Sequence, residues 1–91
     1  MMETIGFLEL SSIAKGLEAA DAILKAAETK LLFARPGCPG KYYILFCGEV
    51  AAVQSSLDAG KKLAGSCVVD SCVIPRVHPQ VIQAMNLSAV P

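Results

Sequence analysis

Hydrophobic and polar positions follow two different periods along the chain, and the switches between them mark out its elements. Residues 4–10 form a short apolar segment with Gly6 inside it, which reads as a first strand. Ser11 or Ser12 is placed to cap the next segment, where Ile13, Leu17, Ala20, Leu24 and Ala27 return at steps of four and three. That stripe predicts an amphipathic helix ending near Ala27, with these residues on its core face. Residues 30–35 read as a second strand and residues 41–47 as a third, rich in the β-formers Tyr42, Tyr43, Ile44 and Phe46. After Gly48, helical spacing returns at Val50, Val53, Leu57, Gly60 and Ala64; Glu49 suits the helix start and Gly65 its stop. Residues 67–74 read as a fourth strand. Pro75-Arg76-Val77-His78-Pro79 then reads as a rigid connector, with Pro79 in the first turn of a short terminal helix carrying Val81, Ile82 and Met85.

The order is β-α-β-β-α-β plus a small helix, in a chain read as one domain over residues 1–91. With right-handed crossovers it predicts an α+β, ferredoxin-like fold: a four-stranded antiparallel sheet with two helices on one face and the other face free. Composition adds a constraint. A domain of 91 residues that is 54% hydrophobic, with mean hydropathy +0.53, holds more apolar surface than it can hide alone. The excess points to subunit contacts, since obligate interfaces resemble a sliced core. Formal charge is zero and no basic stripe occurs, which argues against a nucleic-acid partner. Apolar runs such as residues 42–47 fall far short of a membrane span, and residues 1–4 lack a signal-peptide pattern. The expected compartment is the cytoplasm, where thiols stay reduced, so the four cysteines need a reason other than disulfides.

The sharpest local chemistry is the segment Arg35-Pro36-Gly37-Cys38-Pro39-Gly40-Lys41, which joins the second and third strands as a hairpin. Prolines fix φ and glycines permit dihedrals other residues avoid, so Cys38 stands on a stiff turn with a cation to either side. One thiol is a poor metal site; several copies around a symmetry axis make a good one. Cys47, Cys67 and Cys72 fall in predicted strands and read as small core hydrophobes. Cys67 and Cys72 are five residues apart and so belong to opposite sheet faces. His78, the single histidine, has no orienting partner in the sequence, the carboxylates show no paired spacing, and no phosphate-loop motif occurs. The chain is not expected to be an enzyme. On topology alone a regulatory domain binding a small ligand between subunits remains an alternative.

Four pieces in order resemble bacterial microcompartment shell proteins of the single-domain kind. They are Ile5-Gly6-Phe7-Leu8-Glu9, Ala19-Ala20-Asp21-Ala22-Ile23-Leu24-Lys25-Ala26-Ala27, Cys47-Gly48-Glu49-Val50-Ala51-Ala52-Val53 and Val73-Ile74-Pro75-Arg76-Val77-His78-Pro79. The resemblance implies a BMC domain forming cyclic hexamers that tile into a protein sheet with other shell proteins. It places Lys25 and Arg76 at hexamer edges and the loop of Pro36, Gly37, Cys38, Pro39, Gly40 and Lys41 around the central pore. A Cys-Pro-Gly-Lys pore loop is similar to that of a tandem-domain propanediol-compartment protein with an iron–sulfur cluster on its axis. It is still more similar to that of single-domain shell proteins of glycyl-radical compartments; a single-domain chain is expected to exclude the tandem type. The implied cofactor is an iron–sulfur cluster, [4Fe–4S], held by Cys38 from several chains, with Lys41 and Arg35 favouring thiolate. The implied partners are the chain itself and lumenal redox or radical enzymes. A metal-free pore passing small metabolites is the alternative within the same class.

Overall fold

The computed structural model describes residues 3–89, with side chains through Ala84. The elements run β1 (Glu3–Leu10), α1 (Ile13–Ala26), β2 (Lys30–Gly37), β3 (Lys41–Gly48), α2 (Val50–Ala64), a short 3-10 turn (Gly65–Cys67), β4 (Val68–Val77) and α3 (Pro79–Ala89). The sheet order is β2-β3-β1-β4 and every neighbouring pair is antiparallel, as the ferredoxin-like reading requires.

Local chemistry explains the boundaries. The Ser12 side chain accepts a hydrogen bond from the Lys15 backbone N–H at 3.2 Å and so caps α1. Gly65 ends α2 at a φ of 56°, a region other residues seldom enter. Glu49 stands at the N-cap of α2 in extended conformation, without a side-chain cap hydrogen bond.

Both long helices lie on one side of the sheet, and even-numbered residues of β1 and β3 face them. Leu8, Leu10, Ile44 and Phe46 meet Ala19, Ile23, Val53 and Leu57 there, and all of these are buried. Each such large side chain contributes about 1.5–3 kcal/mol on burial. The face of α1 differs from the expectation. Its buried residues are Gly16, Ala19, Ala20 and Ile23, whereas Ile13, Leu17 and Leu24 are 44%, 59% and 44% exposed. Small residues let α1 sit close to β3 and α2, and that proximity turns the neighbouring stripe of larger side chains outward.

The opposite face is not free. A second cluster of Ile5, Leu45, Cys47 and Val77 lies there, with Phe7, Leu32, Phe33 and Ile82 of α3 against it. Ile82 of the terminal helix thus covers a face expected to be free, while Val81 is half exposed and the side chain of Met85 lies outside the described residues. Two further boundaries differ. Cys67 sits in the 3-10 turn before β4, and β4 continues through Pro75 and Arg76 to Val77, replacing the expected connector. An edge strand tolerates proline because one side of its ladder needs no donor. The pairs Glu3↔Val77 and Ile5↔Ile74 leave Thr4 facing both Pro75 and Arg76, a bulge in which Arg76 takes a φ of 56°.

The close approach of α1 makes a direct test. A β-carbon at Gly16 would lie 2.6 Å from Tyr42 Cβ, next to backbone that cannot swing away. Gly16→Ala is expected to lower the unfolding free energy by roughly 1–3 kcal/mol through overpacking. The measurement is the urea midpoint at unchanged slope; an unmoved midpoint would mean the helix steps back freely.

Candidate functional site

The β2–β3 hairpin carries the candidate chemistry. Gly37 and Lys41 are its last paired residues, so Cys38, Pro39 and Gly40 form a three-residue tip. Gly40 has a φ of 67° with open space around it, the left-handed position that such a tip demands. The Cys38–Pro39 peptide is cis, and Cys38 is exposed.

The base of the hairpin is braced on the sheet face opposite α1 and α2. A β-carbon at Gly37 would collide with the Tyr43 ring, which in turn stacks on Phe7 at a centroid distance of 6.3 Å. Lys41 Nζ is 3.2 Å from Glu9 Oε2. The Arg35 guanidinium lies 4.6 Å over the Phe33 ring, a cation–π contact. Both cations expected to serve the thiol are thus engaged with partners on this face. In register, Arg35, Tyr43, Glu9 and Asp70 form one polar row across all four strands, next to an apolar row of Phe33, Leu45, Phe7 and Cys72.

The other cysteines divide by environment. Cys47 is 1% exposed, and its thiol is pushed up to about 12 by burial first, then by its hydrogen bond to the Glu3 carboxylate and that group's charge, against a smaller opposing effect of Lys30. It is inert core, as expected. Cys67 is half-buried against the helix-side core, and its carbonyl accepts from Ser11 N–H at 2.8 Å. Cys72 corrects the expectation of burial: it is exposed, on an edge strand that has a neighbour on one side only. Among the described residues, no three His, Cys, Asp or Glu side chains come together as a metal site. One chain therefore offers two separate exposed thiols, Cys38 at the hairpin tip and Cys72 on β4, and no ligand set among the described residues.

Lys25 and Arg76 are not brought together. Lys25 is exposed on α1, which lies over β2 and β3; its hydrogen bond to Asp21 at 2.8 Å and that carboxylate's charge raise its pKa above the ordinary lysine value. Arg76 belongs to the opposite sheet edge, where it lines a shallow groove with Thr4, Gly48, Glu49, Val50 and Pro75. His78 is structural: its Nδ1 accepts from the Gln80 N–H at 3.1 Å at the start of α3. Sequence reasoning missed Glu9 and Tyr43. Glu9 shares strand parity with Ile5 and Phe7, but only the register shows that Lys41 is within reach.

An antiparallel sheet backed by helices, with large apolar side chains left outside, is the build of a domain that packs against further copies or partners. The chain belongs to the BMC domain family, which matches residues 4–77. It is 48% identical over 86 residues to the bacterial microcompartment shell protein PduT of Citrobacter freundii, covering 94% of this chain and 47% of that protein. Shell protein EutM of Salmonella typhimurium is 33% identical over 89 residues, covering 96% of this chain and 93% of EutM. A crystal structure of a microcompartments protein from Desulfitobacterium hafniense superposes with a TM-score of 0.93 at 57% identity, covering all of this chain and 50% of that one. The chain thus spans about half the length of two of these relatives, and length alone does not set it apart from the tandem type. As a BMC domain, the chain is a structural shell domain of a bacterial microcompartment, a cytoplasmic body, and the domain is not an enzyme. Family membership also removes the regulatory-domain alternative. No helix among the described residues is long and apolar enough to cross a membrane.

The thiol environments carry two expectations. In metal-free protein, peptide-resolved alkylation should modify Cys38 and Cys72 quickly and Cys47 only on unfolding. Cys47 holds its proton more tightly folded than unfolded, so its contribution to stability is complete below the unfolded thiol pKa. It is lost as pH rises from there through about 12. Cys47→Ala should flatten that decline in denaturant midpoints; an equally steep decline would count against the assignment.

Proposed function

We propose that the chain forms sixfold rings in the shell, with the β2–β3 hairpins around the axis and Cys38 of several chains holding an iron–sulfur cluster. What supports this is the exposed thiol on a braced, stiff tip, in a chain that offers no other ligand set among its described residues. The outward stripe of Ile13, Leu17 and Leu24 supports association, since a monomer seldom leaves aligned large apolar side chains in water.

The residues fit the cluster only in the assembled ring. A [4Fe–4S] cluster takes four thiolates, so a ring of six identical chains leaves two copies of Cys38 unligated. When bound, such a cluster supplies one-electron transfer, here between the two sides of the shell or toward a lumenal redox or radical enzyme of a glycyl-radical compartment. The protein's part is to hold the thiols at one height on stiff turns. Lys25 and Arg76, on opposite sides of the subunit, take the ring-edge roles that allow tiling with other shell proteins.

Anaerobic reconstitution tests the cofactor. About four irons and four sulfides per six chains are expected, with visible absorption and an EPR signal on reduction. Cys38→Ser should remove all of these and Cys72→Ser none. An iron-free ring, or colour retained in Cys38→Ser, would sink the assignment; the iron-free ring would favour a passive metabolite pore. At the edge, Arg76→Gly relieves an unfavourable φ and should raise subunit stability by roughly 1 kcal/mol. The same change should abolish flat arrays in electron micrographs, and arrays that persist would remove Arg76 from the edge.

A further inference from the structure

We propose that Glu9 is a positioning residue of the pore hairpin, holding Lys41 against the sheet and thereby setting the charge beside Cys38. The pore setting rests on the ring reading above; the positioning of Lys41 does not. Lys41 is the first residue after the Cys38–Gly40 tip and pairs with Gly37, so its backbone is fixed close to the thiol. Its ammonium nevertheless lies 3.2 Å from Glu9 on the neighbouring strand, on the face opposite the long helices. Glu9 is only 17% and Lys41 35% exposed, so the pair is screened less than a surface ion pair.

Glu9 is itself held in place. It sits on the central strand between Tyr43 and Asp70, and Tyr43 is fixed by its stack on Phe7. No comparable fixed anion is present on the tip itself, whose residues are Cys38, Pro39 and Gly40. With Glu9 in place, the lysine charge is matched away from the axis. Without it, each subunit presents an unmatched cation beside its thiol, and in a ring these cations add. Such a ring would admit anions more readily, and an anionic cluster held there would be easier to reduce.

The test uses the iron-free chain, so it stands whether or not a cluster binds. The rate of Cys38 exchange with a dicarboxylate aromatic disulfide is divided by its rate with an uncharged dipyridyl disulfide, using peptide-resolved mass spectrometry. The ratio is then compared between variants. Glu9→Gln should raise the ratio roughly 2–4-fold at low ionic strength, and added salt should erase the gain. Glu9→Asp keeps the charge but shortens the reach, and should move the ratio in the same direction. In a Lys41→Gln background, Glu9→Gln should change the ratio by less than half as much. An unchanged ratio in Glu9→Gln would overturn the proposal. So would an equal change in both backgrounds, which marks the lost carboxylate's own field rather than release of the lysine. Iron and sulfide analysis of the wild type decides the cluster reading separately.

Discussion

The structure depends on β1 being paired on both sides. It is the strand that joins the β2–β3 hairpin to β4, and its alternating side chains build both layers at once. Leu8 and Leu10 enter the helix-side core, while Ile5, Phe7 and Glu9 meet β3 and β4 on the other face. Because the side-chain period is two, a slip of one residue would exchange the layers and strand Glu9 in a dry core. The register that secures the fold is therefore the same register that places Glu9 beside Lys41.

Much of this is legible in the sequence because the signals are local. A serine cap, a glycine stop, two helical periods and a Pro/Gly turn each act over a few residues, and together they give the element order. The α1 face escapes such reading for a physical reason. Periodicity marks the stripe with the largest apolar side chains, but the close approach at Gly16 and Tyr42 buries the face of Gly16, Ala19 and Ala20 instead. A sequence cannot show that its bulky stripe stays exposed on the folded subunit. Cys72 escapes it similarly, since being an edge strand is a property of the sheet. The extension of β4 through Pro75 needs a bulge that pattern reading does not supply.

Of the candidate site, Cys38 and its stiff tip are readable, and the fate of the flanking cations is not. Charge close in sequence is not charge available in space. Arg35 covers Phe33 and Lys41 answers Glu9, so the thiol stands among groups already satisfied elsewhere. Cys47 makes the contrast: the same side chain, buried beside a carboxylate, keeps its proton and only fills volume. Burial and neighbours, not residue type, separate the two thiols.

The outward stripe on α1 has a consequence for the life of the subunit before it reaches a shell. Ile13, Leu17 and Leu24 spend the monomer's existence in water, so on the proposed association folding and assembly would draw on one free-energy reserve and scale with protomer concentration. Dilute chains are then the least protected, and a shortfall of shell partners exposes them to proteolysis. On the association proposed above, the supply of durable subunits would follow the demand of a growing shell.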